Sequence, residues 1–527
     1  MRRQHLLRAV TLACLGSITA AGVVRGDESR GGHRDHDDHA RQCDSRRFGA
    51  VNDGKTDNAA AIQAAIDHCA QGGGVVPISG GGTFVTGPIQ LRSHVVLRID
   101  APTVLKNTTD HSRYQPAFIG YPFRFANDPA VSGTGPALSG RPEAMISAID
   151  AEDTGIVGDG TIDGSGADPA AAATSDNPGA LSWWQLAANA KKAGTPYPAF
   201  PDIPTSNGLP RPWLVEFYNS RHLRIRGVLL TNSPMWNLGL RYDTDVVVDG
   251  LRVYNNANDP TGAPNTDGID LVGSTGIRLV NLDIDTGDDN LALKSGLPGI
   301  DPAHPGVPTF AYYKPPYNLP KLPLSHVDIA HSTFKRGHGL SVGSETVNGV
   351  NHIRAQDITF LGTDNGFRIK TGRDRGNEIF GMKISRLTMT DVPTPISISE
   401  YYPTIPTATQ GDLVQPQIPE TQPRVHDIAI SDVTATNPQT VRNVVTSGGL
   451  IIGVPESPVL NITLSRISIT SANPSGIFMR LRNVTQLRCE AVSIAPLSTA
   501  APASGHAFDN EGGLSSLTGC DVPPPSM

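Results

Sequence analysis

A chain of 527 residues with a formal net charge of -7 is too acidic for general nucleic-acid binding, and no stretch beyond its N-terminus is long and apolar enough to span a bilayer. Charged residues make up 18% and aromatic residues 6%, with 55 glycines and 43 prolines. That mixture excludes a helical bundle and points to many short elements joined by turns.

The chain opens on a basic segment, MRRQHLLR, followed by the apolar run AVTLACLGSITAAGVV with small residues at Ala20, Ala21 and Gly22. This order is expected of an export signal over residues 1–26, implying a secreted product, extracellular or periplasmic. Arg2-Arg3 matches a twin-arginine signal only in part. Residues 27–42 are polar and low in complexity and read as a solvated, disordered tail, although their histidines could bind metal. One catalytic-size domain, 43–527, remains. Its four cysteines, Cys43, Cys69, Cys489 and Cys520, are expected to form two disulfides in an exported protein. Three pairings can be drawn, and the local pairs, 43 with 69 and 489 with 520, would staple the two chain ends.

DNAAAIQAAIDHCA predicts a short helix with Ile62, Ile66 and Cys69 on one face, capped by Thr56 or Asp57. From Leu223 onward, blocks such as LRIRGVLL, VVVDGLRV, IRLVNLDI and ITLSRISI alternate apolar and polar, break phase at a small or polar residue, then alternate again. The nearest blocks lie about 23 to 29 residues apart, the mark of a solenoid. A second strand set runs between them: WNLGLR, GIDLVG, NLALKSG, GLSVGSE, GFRIKTG, PISISEYY, GLIIGV and GIFMRLR. The fold expected is all-β, a right-handed single-stranded parallel β-helix whose N-terminal helix covers the first coil. A β-sandwich or propeller would need hairpin or blade signatures, and few are present. Long loops at about 120–145, 165–212, 297–323 and 403–424 could wall a cleft.

Aligned by their inward residues, the second set places Asp267, Asp289, His338 and Asn365 immediately before successive strands. Equivalent positions on adjacent coils sit about 4.8 Å apart, so the first three form a column with Asp288 beside it. Because Phe367 and Ile369 must point inward, Arg368 and Lys370 point outward, as does Lys294. Carboxylates stacked this way repel, so a structural role alone explains them poorly. Calcium would favour such a cluster, but Arg368 and Lys370 oppose a divalent cation and welcome an anion. Asp283 and Asp285 read as solvated turn residues. Two carboxyl groups of unlike proton affinity can hydrolyse a glycosidic bond, and a separation of about 6.5–9.5 Å would admit a water and invert the anomeric centre. With Arg and Lys to hold a carboxylate, a uronic-acid polymer fits these parts.

At these residues the chain resembles the polygalacturonases, glycoside hydrolase family 28. The resemblance rests on NTDGID (265–270), TGDDNLALKSG (286–296), RGHGLSVGSE (336–345) and GFRIKTG (366–372), with FGAVNDGKTDNAAAIQAAIDHC and TGPIQLRSHVVLRI matching the family's opening coil. It implies hydrolysis of α-1,4-galacturonosyl bonds in pectin with inversion. Endo action is expected, with an exo-polygalacturonase, a calcium-dependent pectate lyase and a non-catalytic polysaccharide-binding β-helix as alternatives. Carried over by position, the resemblance makes Asp288 the general acid, Asp267 and Asp289 the activators of water, and His338 the group that tunes the acid. Arg368 and Lys370 would hold the substrate carboxylate, Tyr402 would contact substrate with Tyr401 as its rival, and Asn265 would shape the motif and also contact substrate. No metal or organic cofactor is implied. Asn290 stands where many eukaryotic members carry cysteine, and the loop at 297–323 is longer than a minimal endo-acting member needs. The sequons at Asn107, Asn461 and Asn483 matter only in a eukaryotic secretory pathway. Capped solenoid ends imply a monomer.

Overall fold

The computed structural model describes residues 41–114, 143–174, 177–193, 211–296, 299–300, 308–309, 320–413, 419–473, 478–497 and 506–524. The expected export signal, the polar tail up to residue 40 and most of the loops at 120–145 and 297–323 lie outside the described residues.

The alternating blocks wind into a right-handed parallel β-helix. The first set of blocks builds a 20-stranded sheet, and the second set builds a 12-stranded sheet. Pairing within both is parallel and coil follows coil, as in Leu291–Lys294 on Leu340–Gly343 and Leu324–Lys335 on Val350–Leu361. One inward column shows what holds the stack together. Leu240, Leu271, Leu293, Val342, Ile369 and Ile398 pair in succession and none is exposed. Each such side chain stabilises by about 1.5–3 kcal/mol on burial.

The break in phase has a definite cause. Early coils use two strands, Arg221–Arg226 and Leu229–Thr231, separated by Gly227 at φ +77°. From Leu324 onward the two fuse into strands of 12 to 14 residues, contrary to the two short strands expected. There a left-handed residue at the bend, such as His331, Asp357, Arg386 or Asp432, drops out of the pairing register and turns the chain while the strand runs on.

Helix α1 (Ala59–Ala70) buries Ile62, Ile66 and Cys69 against the first coils, and Asp57 Oδ1 accepts the Ala59 N–H at 2.9 Å while Thr56 takes no part. Disulfides join Cys43 to Cys69 and Cys489 to Cys520, so each end of the solenoid is tied. The region 165–212 is not merely loop. It contains α2 (Trp183–Ala193), started by a reciprocal capping box in which Ser182 Oγ accepts from Gln185 N and Gln185 Oε1 accepts from Ser182 N. Trp184 anchors α2 by burial and by donating Nε1–H to the Ser233 carbonyl at 2.7 Å.

Candidate active site

Register decides which side chains meet. Ile269, Leu291, Leu340 and Phe367 pair in sequence, so the residues two positions earlier, Asp267, Asp289, His338 and Asn365, occupy one column. Asp267, Asp288 and Asp289 each present an oxygen within 4.8 Å of the others. The adjacent aspartates face different surroundings. Asp289 is 1% exposed and lies under the cleft floor, whereas Asp288 is 28% exposed and lines the cleft with His338. The expectation of an open surface patch is therefore corrected: the outward face of these strands is overlaid, and Asp267, Asp270, Ser341 and Lys294 are buried with it.

Arg368 and Lys370 point outward as expected, but toward Asp289. Arg368 donates to Oδ1 and Lys370 to Oδ2, both at 2.6 Å, and Ser341 Oγ–H adds a bond to Oδ1 at 2.9 Å. Burial works to raise the Asp289 carboxyl, yet Lys370, Arg368 and His338 overcome it and hold the group far below the usual carboxylate range. Asp267 goes the other way. Burial, then the neighbouring Asp270 and Asp288, push it well above that range, with Lys294 opposing. Lys294 bonds Asp270 at 2.7 Å, lies 3.8 Å from Asp267, and sits 4.0 Å from the Trp236 ring centroid. Asp270 is pushed up to about 7, chiefly by burial. Three carboxylates at this spacing could bridge a cation, but both oxygens of Asp289 already accept from cationic side chains.

A cavity of about 480 Å³ opens over Asp288, lined also by Asn265, His338, Gly287, Lys191 and Lys192. Tyr402 flanks Lys370, whose Nζ lies 5.8 Å from its ring centroid. Tyr401 instead is fully buried and donates to Asp412 at 2.5 Å. Asp283 and Asp285, read as solvated, are paired: Asp283 bonds Lys335, and Asp285 holds Arg336 bidentately at 2.6 and 2.5 Å.

The profile for glycosyl hydrolases family 28 matches residues 95–490, three quarters of the chain. The chain belongs to that family. As a member it is a glycoside hydrolase. A second profile, rhamnogalacturonase A/epimerase, pectate lyase-like, matches residues 44–121. An endo-polygalacturonase of Pectobacterium carotovorum subsp. carotovorum is 28% identical over 431 residues, covering 80% of this chain and 86% of the relative. A probable polygalacturonase of Vitis vinifera is 26% identical, covering 80% and 73%. Among solved structures, the exopolygalacturonase of Thermotoga maritima superimposes with a TM-score of 0.60 at 21% identity, covering 91% of this chain and 92% of its own. The polygalacturonase of Erwinia carotovora ssp. carotovora gives 0.59 at 22%, covering 92% and 97%. At such identities the structures speak for the fold.

Two further residues of this family 28 hydrolase escaped sequence reasoning. Arg211, fully buried, donates to the Pro234 and Pro264 carbonyls and, at 2.6 Å, to Asn265 Oδ1. That bond turns the Asn265 amide nitrogen toward Asp288 Oδ2, 3.4 Å away. Asp364 lies 3.0 Å from His338 Nδ1 and is ion-paired to Arg442. A signal existed for Asp364, since it precedes Asn365 as Asp288 precedes Asp289 in the same column. No comparable signal marked Arg211.

Asn290 has a clear structural role. Its amide donates to the Ile284 and Lys335 carbonyls at 3.0 Å, and its Oδ1 accepts the Gly339 N–H at 2.8 Å. The segment bearing His338 is thus stitched to the coil bearing Asp288. The approach is close enough to require glycine at 337, where an added Cβ would sit 2.2 Å from the Asp288 carbonyl oxygen. Asn290→Ala strands three buried backbone groups and is expected to lower unfolding free energy by about 2 kcal/mol or more in denaturant titration. Unchanged stability would show those bonds to be dispensable.

Proposed function

We propose that the protein hydrolyses α-1,4-glycosidic bonds between galacturonic acid units of polygalacturonate, with inversion and by internal cleavage. The observation that carries this reading is Asp288 facing a cavity directly beside a buried acid pair and two cations. The reading is supported by family membership and by relatives named polygalacturonases.

In the proposed reaction Asp288, the one member of the acid trio lining the cavity, protonates the leaving glycosidic oxygen. Asp267 and Asp289 hold the attacking water, and the ionised form of Asp267 takes its proton. The closest oxygens of the trio lie within 4.8 Å, nearer than the separation expected from the sequence, so spacing alone does not argue for inversion. Burial and pairing do. Asp289, with both oxygens bonded to Arg368 and Lys370 and nearly no exposure, is a poor nucleophile toward a sugar carbon, which leaves water to attack. Arg368 and Lys370 have donors left over from Asp289, and with Tyr402 they would receive the substrate carboxylate. Endo action follows the Pectobacterium relative, and export follows the basic-then-apolar N-terminus.

The test is digestion of de-esterified pectin with excess chelator, followed by product sizing and anomeric NMR. Early mixed oligomers with inverted reducing ends, free of ultraviolet-absorbing unsaturation, are expected. Unsaturated ends together with loss of activity would mean a calcium-dependent lyase. Monomer or dimer alone would mean exo action.

The charge pattern also sets a pH profile. Asp267 must lose a proton that burial and its acidic neighbours hold well above the usual carboxylate range, so the acid limb of kcat/KM lies above pH 4. Burial works against a charged His338, but the Asp364 bond, Asp288 and Asp289 raise it, so the imidazolium persists above its ordinary titration and the alkaline limb follows its loss. Asp364→Asn removes the principal raising contact and should shift that limb to lower pH while the acid limb stays. An unmoved alkaline limb would detach His338 from the reaction.

A further inference from the structure

We propose that Lys191 and Lys192, delivered by α2, form a second carboxylate-binding subsite on the side of Asp288 away from Arg368 and Lys370; this rests on the polygalacturonate reading and extends it. The two lysines line the cavity that Asp288 and His338 also line. They reach it from the N-terminal coils, because α2 lies between strands Thr161–Asp163 and Val215–Tyr218 and is pinned to Ser233 by Trp184. Arg368 and Lys370 reach the acid cluster from the C-terminal side, on a strand two coils beyond Leu291–Lys294. Cations therefore stand on both sides of the acid along the direction of coil stacking.

A uronate polymer carries a carboxylate on every ring, so a chain crossing Asp288 presents one charge before the cleaved bond and another after it. Neither lysine forms an ion pair with a described residue, so both ammonium groups have donors to offer. Anchoring is unusually firm for an inserted segment. Asn177 bonds the Leu181 peptide on both its N–H and C=O, the Ser182–Gln185 box starts the helix, and Trp183 stacks on His111 at 3.8 Å. A fixed helix holds its lysines over the cleft and lowers the ordering cost of binding. Lysines in a last turn also complement the helix dipole, and that role would need no ligand.

The variants K191Q/K192Q and K191R/K192R separate the two roles. In an Asp288→Asn background, which removes the acid and leaves the cleft shape, the Gln pair is expected to bind an oligogalacturonide about 10-fold more weakly and the Arg pair to retain affinity. In the otherwise native enzyme the Gln pair should raise KM on polygalacturonate by a similar factor, with kcat little changed. On fully methyl-esterified oligomers the two proteins should bind alike. Equal affinity of the Gln pair and its parent for the charged oligomer overturns the subsite, whatever happens to thermal stability. So does a lack of measurable binding in either. Absence of turnover in the native enzyme would instead sink the hydrolase reading, while the binding comparison would still decide the lysines.

Discussion

Asp288→Asn is expected to lower kcat on polygalacturonate by about 10²–10⁴-fold while KM and the fold stay close to those of the native enzyme. The substitution keeps size and shape. The backbone carbonyl at 288 still accepts from Thr286 Oγ1 and from the His338 N–H, so the turn keeps its geometry. An amide oxygen can also still accept the Asp289 N–H, as the carboxylate does at 2.9 Å. What is lost is a proton that can be given to the leaving oxygen. An effect on kcat with KM spared is the mark of an interaction made only in the transition state. Retention of more than about a tenth of native turnover would remove Asp288 from the acid role and leave the cluster as a binding feature.

Lys370→Met carries the largest expected cost in stability. Methionine fills the space of the lysine stem but leaves Asp289 Oδ2 without its 2.6 Å partner in a site that is 1% exposed. Breaking a buried pair from one side typically costs about 3–5 kcal/mol. The pH dependence follows from the direction of the Asp289 shift. A carboxyl held below its unfolded value stabilises the fold fully above that value, near 4, and loses the contribution progressively as pH falls from there toward the folded value. The variant's deficit should therefore be full at neutral pH and shrink below about pH 4, where the unfolded carboxyl takes up its proton. Denaturant unfolding of both proteins at pH 7 and at pH 3.5 reads it. Equal stability at pH 7 would mean that Arg368 and Ser341 suffice for Asp289, and would weaken the argument that Asp289 is locked against acting as a nucleophile.

Much of the site was legible because a solenoid turns sequence offsets into distances. Once NLAL, GLSV and GFRI were aligned on their apolar residues, Asp289, His338 and Asn365 had to share a column, and the observed pairing has that register. Helix α2 was missed although its signals were present: Ser182 three residues before Gln185, and Trp183, Trp184 and Ala187 spaced to bury one face. They lie between two turn-rich stretches, and a pattern only 11 residues long is outweighed by the glycines and prolines on either side.

Alternation of apolar and polar residues, with a small or polar residue at each bend, was enough to determine the β-helix and the order of its coils, since only inward stacking hides those side chains from water. It also determined which acids would be neighbours. Burial and charge were decided by the tertiary structure alone. Whether Asp289 is ionised, whether Asp267 keeps its proton and which aspartate meets the cleft depend on Arg368, Lys370, Lys294, Trp236 and α2. These lie far apart in the chain, and neither the dielectric around a carboxyl nor its nearest counter-charge exists until they are packed together.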